Sequence, residues 1–402
     1  MKRILIFSLA YYPRLVGGAE VAIKEITDRV SDSEVAFDMV TLRFDEAAPS
    51  VEKIGNVTVY RVGFASFPIA LNKYLFTFMG AWRASRLHRT NPYDGIWAMM
   101  ANYAGFAALF FKMTYPQVPY LLTLQEGDPI AYIKKRVGVL LPLFRKIFTR
   151  ADMVQAISHY LADFAREMGF NGPLEVVPNG VDVELFSRRY SDMELATLKD
   201  TLGKKYSDTF LITTSRLVAK NAVGDIIQAL RYLPESVKLL ILGVGPLEAE
   251  LKALALKFGL IERVHFLGFI SHQEMPKYLA ISDIFVRPAL SEGFGLSYVE
   301  AMAAGLPVVT TAVGGIVDFL TPPEASGAKA GSSKKALATG LFCEVANPKS
   351  VAEQVERLLS DPTLRKEIVT NAKSMVVEKY DWSLIAGEMK KLFLKLTNER
   401  HA

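Results

Sequence analysis

Short apolar runs of strand length alternate along this chain with segments in which apolar residues recur at helical spacing. This alternation is typical of βα units that build parallel sheets with helices on both faces. In the first half of the chain the predicted strands are Ile4–Leu9, Val35–Thr41, Val57–Val62, Ile96–Met100, Tyr120–Leu124, Met153–Ile157 and Leu174–Val177. In the second half they are Phe210–Thr213, Lys238–Gly243, Val264–Gly268, Ile284–Arg287 and Val308–Thr311. The pattern therefore predicts an α/β fold with two doubly wound parallel sheets.

A polar segment from Asp182 to Asp208 separates the two sets of strands, and we interpret it as a connection with short helical pieces. The chain has 402 residues, which is more than one hydrophobic core usually organises. Two domains are therefore predicted. Within the second, Thr321–Thr339 is rich in Pro, Gly, Ala and Ser, and this composition predicts a mobile surface loop.

The cysteine content and the N-terminal sequence indicate the compartment. The single cysteine, Cys343, excludes a disulfide framework and a cysteine-based metal cluster, and it favours a reducing, cytoplasmic location. The apolar run Ile4–Leu9 is shorter than the core of a secretory signal, so we interpret it as the first buried strand.

One stretch could instead be read as a membrane span. Gly95 to Phe111 contains no charged residue, and its seventeen residues lie at the lower limit for a spanning helix. Asn102 divides this stretch into a strand-like and a helix-like part. A strand followed by a buried helix is therefore the preferred interpretation.

The net charge of +5 is unevenly distributed, because residues 63–93 and 129–151 contain basic residues and no acid. Both stretches also contain large apolar residues, a combination that favours anionic lipid surfaces. This pattern predicts peripheral contact with an anionic membrane, at its inner face for a cytoplasmic protein. The alternative is that the apolar residues pack inside the first domain and the charges are merely solvated. No nucleic-acid partner is predicted.

Two loops that follow predicted strands carry candidate anion-binding groups. Gly17 and Gly18 lie in the first βα turn, where paired glycines allow close backbone approach and a helix start directs N–H groups at an anion. Arg216 and Lys220 follow the first strand of the second half, and such side chains can hold the charged oxygens of a diphosphate. A tight turn without ligand and a solvated basic turn are the respective alternatives.

The most informative segment runs from Arg287 to Pro307, where a strand, a glycine-rich turn and a helix follow each other. Glu292 lies before the turn, and Glu300 lies about one turn inside the helix. A carboxylate can accept two hydrogen bonds from a vicinal diol, so this pair suits sugar and ribose hydroxyls. An acid-capped helix is the alternative, but it does not account for the glycines beside Glu292.

The Glu-x7-Glu spacing of Glu292 and Glu300, within EGFGLSYVEAMAAGLPVV, resembles the signature of the retaining glycosyltransferases of family four. The segment Pro178–Asp182 with Phe186 resembles that family's inter-domain junction, and PRLVGGAE resembles its first loop. The resemblance extends from Ile4 to beyond Trp382. It is specific for family and fold and unspecific for substrate.

This resemblance implies a GT-B fold, in which two Rossmann-like domains face each other across a ligand cleft. The implied domains are residues 1–182 on the acceptor side and 183–380 for the nucleotide sugar, with 381–402 as a helix that crosses back to the first domain. By position, Glu300 would bind the donor ribose and Arg216 its diphosphate. Gly17 and Gly18 would close over the diphosphate. The transferred sugar would bind to Glu292 and to the backbone of the turn formed by Gly293, Phe294, Gly295 and Leu296.

Three features depart from the family pattern. The phosphate lysine usually stands five residues after the arginine, where this chain has Asn221, so Lys220 is expected to serve. Gln125 stands where a histidine near the reacting sugar is common. The loop before Gly340 is longer than usual, and Asp318 replaces a common glutamate.

The motifs and the resemblance together predict transfer of a hexose-type sugar from a nucleoside diphosphate sugar to a glycan or lipid-linked acceptor hydroxyl. Retention at the anomeric carbon is implied by the resemblance alone. Arg216, Lys220, Glu292 and Gln125 are the expected catalytic residues. No metal site and no further cofactor are predicted. Two alternatives of other classes stay open: a sugar-nucleotide epimerase of the same fold and a catalytically silent sugar-nucleotide-binding protein.

Overall fold

The computed structural model describes residues 1–13, 17–64, 66–325 and 337–398. The chain forms two compact units. The first comprises Met1–Asn179 together with the segment that begins at Trp382, and the second comprises Gly180–Asp381.

The strands of the first unit are β1 (Lys2–Phe7), β2 (Val35–Leu42), β3 (Val51–Ile54), β4 (Val57–Val62), β5 (Gly95–Met99), β6 (Tyr120–Leu124), β7 (Met153–Ala156) and β8 (Leu174–Val176). Those of the second are β9 (Thr209–Thr214), β10 (Val237–Leu242), β11 (Val264–Gly268), β12 (Ile284–Arg287), β13 (Val308–Thr311) and β14 (Leu341–Cys343). All predicted strands are present, with ends within two residues of the prediction.

The helices between them are α1 (Gly18–Arg29), α2 (Ile69–Thr90), α3 (Tyr103–Thr114), α4 (Ile130–Val137), α5 (Leu141–Thr149), α6 (His159–Glu167), α7 (Val183–Phe186), α8 (Asp192–Thr201), α9 (Val223–Ala229), α10 (Glu248–Lys257), α11 (Met275–Ala280), α12 (Leu296–Ala303), α13 (Pro348–Ser360), α14 (Pro362–Lys379) and α15 (Trp382–Asn398).

The order of strands identifies a switch point in each sheet. The first sheet runs β3-β4-β2-β1-β5-β6-β7-β8, and only β3, at its edge, is antiparallel to its neighbour. The second runs β11-β10-β9-β12-β13-β14, with every described pairing parallel. The order reverses between β1 and β5 and between β9 and β12. Ligands of such sheets bind beyond the carboxyl ends of the strands at these points.

The uncharged stretch Gly95–Phe111 forms β5 and the first part of α3, which confirms the strand-plus-helix interpretation. Asn102 caps α3, because its side chain accepts a hydrogen bond of 2.8 Å from the Ala104 N–H. Among the helices of the described residues, none has an apolar stretch long enough to cross a membrane.

The predicted loop Thr321–Thr339 lies partly outside the described residues, which omit 326–336. Its two ends are hydrogen bonded to each other. The Thr339 N–H donates to the Thr321 carbonyl at 2.8 Å, and the Thr321 N–H donates to Thr339 Oγ1 at 2.9 Å. Thr321 and Thr339 are therefore direct neighbours in the second unit.

Helix α15 belongs to the first unit and completes its core. The fully buried Phe393 ring lies 5.5 Å from the Phe37 ring of β2 and 5.0 Å from the Trp97 ring of β5. At the surface, Lys390 forms an ion pair with Glu34 at 2.6 Å. The end of the chain therefore stabilises the sheet with which the chain begins.

Removing the Phe393 ring should destabilise the first unit specifically. We expect Phe393→Ala to lower its free energy of unfolding by about 3–5 kcal/mol, since a buried aromatic side chain leaves a cavity that closes only in part. Denaturation followed by tryptophan fluorescence measures this, because all three tryptophans, Trp82, Trp97 and Trp382, belong to this unit. The matched control is Leu384→Ala on the same helix, whose side chain is 48% exposed and whose midpoint should barely move. Equal midpoints for the two variants would contradict the packing role.

Candidate functional site

Loops at the carboxyl edge of the second sheet are joined by main-chain hydrogen bonds. The loop after β9 contacts the loop after β10, where the Leu217 N–H donates to the Val244 carbonyl at 3.0 Å. It also contacts the loop after β12, where the Leu290 N–H donates to the Lys220 carbonyl at 2.7 Å. Strands β9 and β12 flank the switch point, so these bonds build the edge at which a ligand is expected.

Two glycines permit this close approach of loops. At Gly243 (φ +143°) an added Cβ would lie 1.9 Å from the Ser215 carbonyl oxygen. At Gly314 (φ +55°) it would lie 1.8 Å from the Glu292 carbonyl oxygen, and the neighbouring Gly315 N–H donates to that same oxygen at 3.1 Å. Both positions combine a backbone conformation that favours glycine with a contact that excludes any side chain.

A buried arginine lies at the centre of this edge. Arg287, the last residue of β12, is only 8% exposed. Its guanidinium donates to Asn221 Oδ1 at 2.8 Å, to Ser297 Oγ at 2.8 Å and to Glu292 Oε2 at 2.5 Å, and it lies over the Tyr298 ring at 5.2 Å. Burial alone would lower the pKa of Arg287, but Tyr298 and Glu292 raise it above its ordinary value. The group therefore stays charged.

Glu292 is held by this arginine. One carboxylate oxygen pairs with Arg287, and the other accepts a hydrogen bond of 3.0 Å from the Gly293 N–H. The carboxylate thus has a fixed orientation before any ligand binds. Since each oxygen can accept a second hydrogen bond, capacity for hydroxyl donors remains.

Asn221, which stands where the family has a lysine, is a structural residue in this chain. It is buried, and its Nδ2 donates to the Arg216 carbonyl at 2.6 Å while its Oδ1 accepts from Arg287. Arg216 itself is exposed and Lys220 is half-buried. Both basic residues therefore lie on a loop that Asn221 ties to β12.

The glycine-rich turn leads into α12 through Gly295, whose φ of +93° is in the left-handed region. The Phe294 side chain is buried against Phe319 and Tyr380, at 5.2 and 5.7 Å between ring centroids, so only its backbone can serve a ligand. The N–H groups at the start of a helix, here beginning at Leu296, have no intrahelical acceptor. The turn thus presents main-chain donors at this edge.

Glu300 lies one turn inside α12 and is largely buried. Its Oε1 is 2.9 Å from Nε2 of His272, a residue in the loop after β11 that the sequence analysis did not single out. Glu292 and Glu300 therefore have different partners, an arginine and a histidine.

In the first unit, the turn with Gly17 and Gly18 is exposed at the start of α1. The Gly17 N–H donates to Glu20 Oε2 at 2.8 Å. Burial raises the pKa of Glu20, while its hydrogen bonds to the backbone lower it in part. The Gly17 N–H, which was expected to bind the donor diphosphate, thus donates its hydrogen bond to the Glu20 carboxylate.

Gln125, at the end of β6, forms two reciprocal amide hydrogen bonds of 3.1 Å with the buried Asn179. The next residue, Glu126, is also buried, and its Oε1 accepts a hydrogen bond of 2.6 Å from the Ala101 N–H. Burial raises the pKa of Glu126 to about 7, although backbone hydrogen bonds act in the opposite direction. The sequence analysis missed this residue, for which the available signal was an acid two positions after an apolar strand.

Among the residues that the structure describes, no group of three or more His, Cys, Asp or Glu side chains is arranged to hold a metal ion.

Two family descriptions match this chain. One, Glycosyltransferase Family 4, covers residues 16–185, and the other, Glycosyl transferases group 1, covers residues 196–375. The fold, the site and these matches agree. The chain belongs to the family four glycosyltransferases, and the protein is a glycosyltransferase.

Individual proteins are similar over different parts of the chain. A glycosyltransferase of Methanocaldococcus jannaschii, described as uncharacterized, is 28% identical over 393 residues, which is 96% of each chain. The GDP-mannose-dependent monoacylated alpha-(1-6)-phosphatidylinositol monomannoside mannosyltransferase of Corynebacterium glutamicum is 31% identical over 257 residues, 61% of this chain and 62% of that protein.

A solved structure supports the fold. HepE of Anabaena, in complex with UDP-glucose, matches with a TM-score of 0.77 and 20% identity over 98% of this chain and 100% of that one. This likeness shows a shared fold, and the predicted GT-B fold is confirmed.

Replacement of Glu126 should change how stability depends on pH. Burial raises the pKa of the folded carboxyl to about 7, above its ordinary value of 4.5. Between these values the unfolded chain releases the proton and the folded chain keeps it, so the free energy of unfolding falls as pH rises through this window. The loss amounts to about 3 kcal/mol by pH 8.

Glu126→Gln cannot ionise, so we expect it to be more stable than the wild type at pH 8 and similar to it at pH 5. Urea denaturation followed by tryptophan fluorescence at both pH values measures the difference. The control is Glu46→Gln, an exposed carboxylate of the same unit. If the free energies of unfolding of the wild type and Glu126→Gln change with pH in parallel, burial does not raise the pKa of Glu126.

Proposed function

We propose that this glycosyltransferase moves a hexose-type sugar from a nucleoside diphosphate sugar to an acceptor hydroxyl, with retention at the anomeric carbon. The observation that carries the proposal is the carboxyl edge of the second sheet. Loops joined across its switch point bring together a basic segment with Arg216 and Lys220, a helix start, and two carboxylates held in fixed orientations. Retention and the hexose rest on the family resemblance.

The proposed chemistry is electrostatic. The acceptor oxygen bonds to the anomeric carbon, and the bond from that carbon to the diphosphate oxygen breaks. The acceptor's proton passes to an oxygen of the departing diphosphate, and the nucleoside diphosphate leaves. Negative charge builds on the diphosphate as its bond breaks. Arg216, Lys220 and the N–H groups at the start of α12 would stabilise this charge from prearranged positions.

The two glutamates have different proposed ligands. Glu300 would accept hydrogen bonds from the donor ribose, and Glu292 from hydroxyls of the transferred sugar. The pairing of Glu292 with Arg287 supports this division, because an ion pair places less net negative charge beside a diphosphate than a lone carboxylate would. Gly293, Phe294, Gly295 and Leu296 would contribute backbone groups.

The residues of the first unit have supporting roles in this proposal. Gln125 would donate or accept a hydrogen bond at the reacting sugar, since an amide cannot act as a general base at neutral pH. Gly17 and Gly18 would contribute backbone N–H groups to the diphosphate. For Gly17 to do so, the Glu20 carboxylate must release its N–H.

A cavity in the first unit is the proposed acceptor site. Its volume is about 220 Å³, and Tyr11, Tyr12, Phe44, Asp45 and Arg61 are among its lining residues. Aromatic faces beside a carboxylate suit a polyhydroxylated ring. A glycan and a lipid-linked sugar both present such a ring, and the name of the mannosyltransferase similar to this chain includes phosphatidylinositol monomannoside.

The two other functions are distinguished by one incubation. An epimerase would convert a nucleotide sugar in the absence of acceptor, a transferase would at most hydrolyse it slowly, and a silent binder would do neither. Donors for this assay come from a thermal-shift panel that includes UDP-glucose and GDP-mannose, since ligands that bind only the folded state raise its apparent stability.

We also propose peripheral contact with an anionic membrane through α2 and the segment between α4 and α5. Helix α2 exposes Phe78 and Trp82, at 64% and 58%, and the second segment exposes Val139 and Leu140. Not all large apolar residues of the two stretches without acids, 63–93 and 129–151, are exposed, because Phe76 and Phe144 are buried in the core. The basic residues beside the exposed ones favour a negatively charged partner.

Glutamine substitutions test the division between the two glutamates. Glutamine is preferred to alanine because its side-chain oxygen can still accept a hydrogen bond from the buried Arg287, which alanine cannot do. We expect Glu300→Gln to weaken binding of the donor and of the free nucleoside diphosphate alike, by about 1.5–3 kcal/mol at most, because the amide keeps an acceptor oxygen but loses the charge that strengthens the hydrogen bond. Glu292→Gln should leave diphosphate affinity nearly unchanged and lower turnover, because its ligand is the sugar that reacts.

Calorimetric titration of the wild type and both variants with diphosphate and intact donor, together with turnover, measures these effects. Thermal unfolding of each variant controls for lost structure. If both variants lose diphosphate affinity equally, the division of roles is wrong.

Flotation with vesicles tests membrane contact. We expect the protein to float with vesicles containing phosphatidylserine at low salt and to be released at high salt, because salt screens the basic residues. The double substitution Phe78→Ser and Trp82→Ser should reduce flotation, whereas Leu256→Ser, an exposed apolar residue of the other unit, should not. Absence of wild-type flotation at low salt would refute the proposal.

A further inference from the structure

The contact between His272 and Glu300 joins distant parts of the second sheet. His272 lies in the loop after β11, which is an edge strand, whereas Glu300 lies in α12, which follows β12. In the sheet, β10 and β9 stand between these two strands. The loop after β11 and helix α12 nevertheless meet, with Nε2 of His272 at 2.9 Å from Oε1 of Glu300.

The direction of this hydrogen bond follows from its chemistry. An ionised carboxylate only accepts hydrogen bonds, so Nε2 of His272 carries the hydrogen and donates it. The bond uses Oε1, and among the described hydrogen bonds none involves Oε2 of Glu300. One oxygen thus fixes the carboxylate, and the other is left for a ligand hydroxyl.

A second contact fixes the imidazole ring. The buried Phe186 ring, at the end of α7, lies 4.9 Å from the His272 ring at an interplanar angle of 64°. His272 is held on one side by this edge-on packing and on the other by Glu300, while its side chain remains 35% exposed. The chain Phe186–His272–Glu300 therefore sets the orientation of the carboxylate from outside α12.

We propose that His272 is a positioning residue for the ribose of the donor. It donates to Glu300 Oε1 and thereby directs Oε2 toward the ribose hydroxyls, and Phe186 supports the histidine ring in that position. This inference rests on the proposed function, in which Glu300 binds ribose. In this role His272 does not contact the reacting atoms.

Substitutions at His272 separate the hydrogen bond from the packing. His272→Phe keeps a ring against Phe186 and lacks the N–H, whereas His272→Gln keeps a donor near the position of Nε2. The control is His159→Phe, an exposed histidine of the first unit. Phe186→Leu is a second variant that leaves the histidine in place and removes its ring support.

The probes are UDP, GDP and ADP, each compared with its 2′,3′-dideoxy analogue by calorimetry. We expect the wild type to prefer the ribose form of the nucleotide that it binds. His272→Phe should weaken binding of that form by about fivefold to twentyfold, a fraction of the effect of losing a hydrogen bond to a charged group. Its affinity for the dideoxy analogue should be unchanged, His272→Gln should behave like the wild type, and Phe186→Leu should show a smaller loss of the same kind.

The outcomes distinguish this inference from the proposed function. If the wild type binds none of the three nucleotides, or binds both forms of each equally, the proposed ribose role of Glu300 fails and the inference fails with it. If the wild type prefers ribose and His272→Phe retains the whole preference, only the inference is overturned. Equal loss of affinity for both forms in His272→Phe would assign the histidine a general structural role and would also overturn it.

Discussion

Arg287 carries a positive charge into the interior at the carboxyl end of β12, and much of the candidate site is arranged around the compensation of that charge. Removing one partner of a buried ion pair typically costs about 3–5 kcal/mol, because the remaining charge is left without compensation. The partners of Arg287 come from three places along the chain: Asn221 from the loop after β9, Glu292 from the loop after β12, and Ser297 from α12. The hydrogen bonds of one guanidinium therefore fix the loops on both sides of the switch point.

The need to compensate the charge of Arg287 explains why Asn221 stands where the family usually has a lysine. A lysine at that position would bring a second positive charge toward Arg287 and would lack the amide oxygen that accepts its hydrogen bond. Asn221 instead bridges Arg287 and the Arg216 carbonyl, so the backbone of the basic loop is held while the Arg216 side chain remains exposed. Asn221 thus fixes the position of the loop, and Arg216 supplies its positive charge.

The sequence predicted the fold well, because buried strands of a parallel sheet appear as apolar runs. It missed β3, an edge strand whose residues Glu52 and Lys53 interrupt the run, and β14, which has three residues. The candidate glutamates were found because a glycine-rich turn places them within nine residues. The partners of those glutamates could not be found in this way. Asn221 and Arg287 are 66 positions apart and His272 and Glu300 are 28 apart, and such pairings depend on how strands are ordered in the sheet.

The carboxyl edges of the two sheets are built around different buried groups. At the edge of the second sheet a buried arginine is the central group, and further basic residues lie on the neighbouring loop. At the edge of the first, the buried carboxyl of Glu126 holds the loop after β5 through the Ala101 N–H, and Glu20 occupies the N–H of Gly17. A diphosphate carries negative charge, and nearby carboxylates disfavour it while arginine and lysine favour it. The edge of the second sheet is therefore electrostatically better suited to hold the diphosphate of a donor.

The neutral amides of Gln125 and Asn179 in the first unit offer hydrogen bonds without charge, and these suit sugar hydroxyls better than phosphate oxygens.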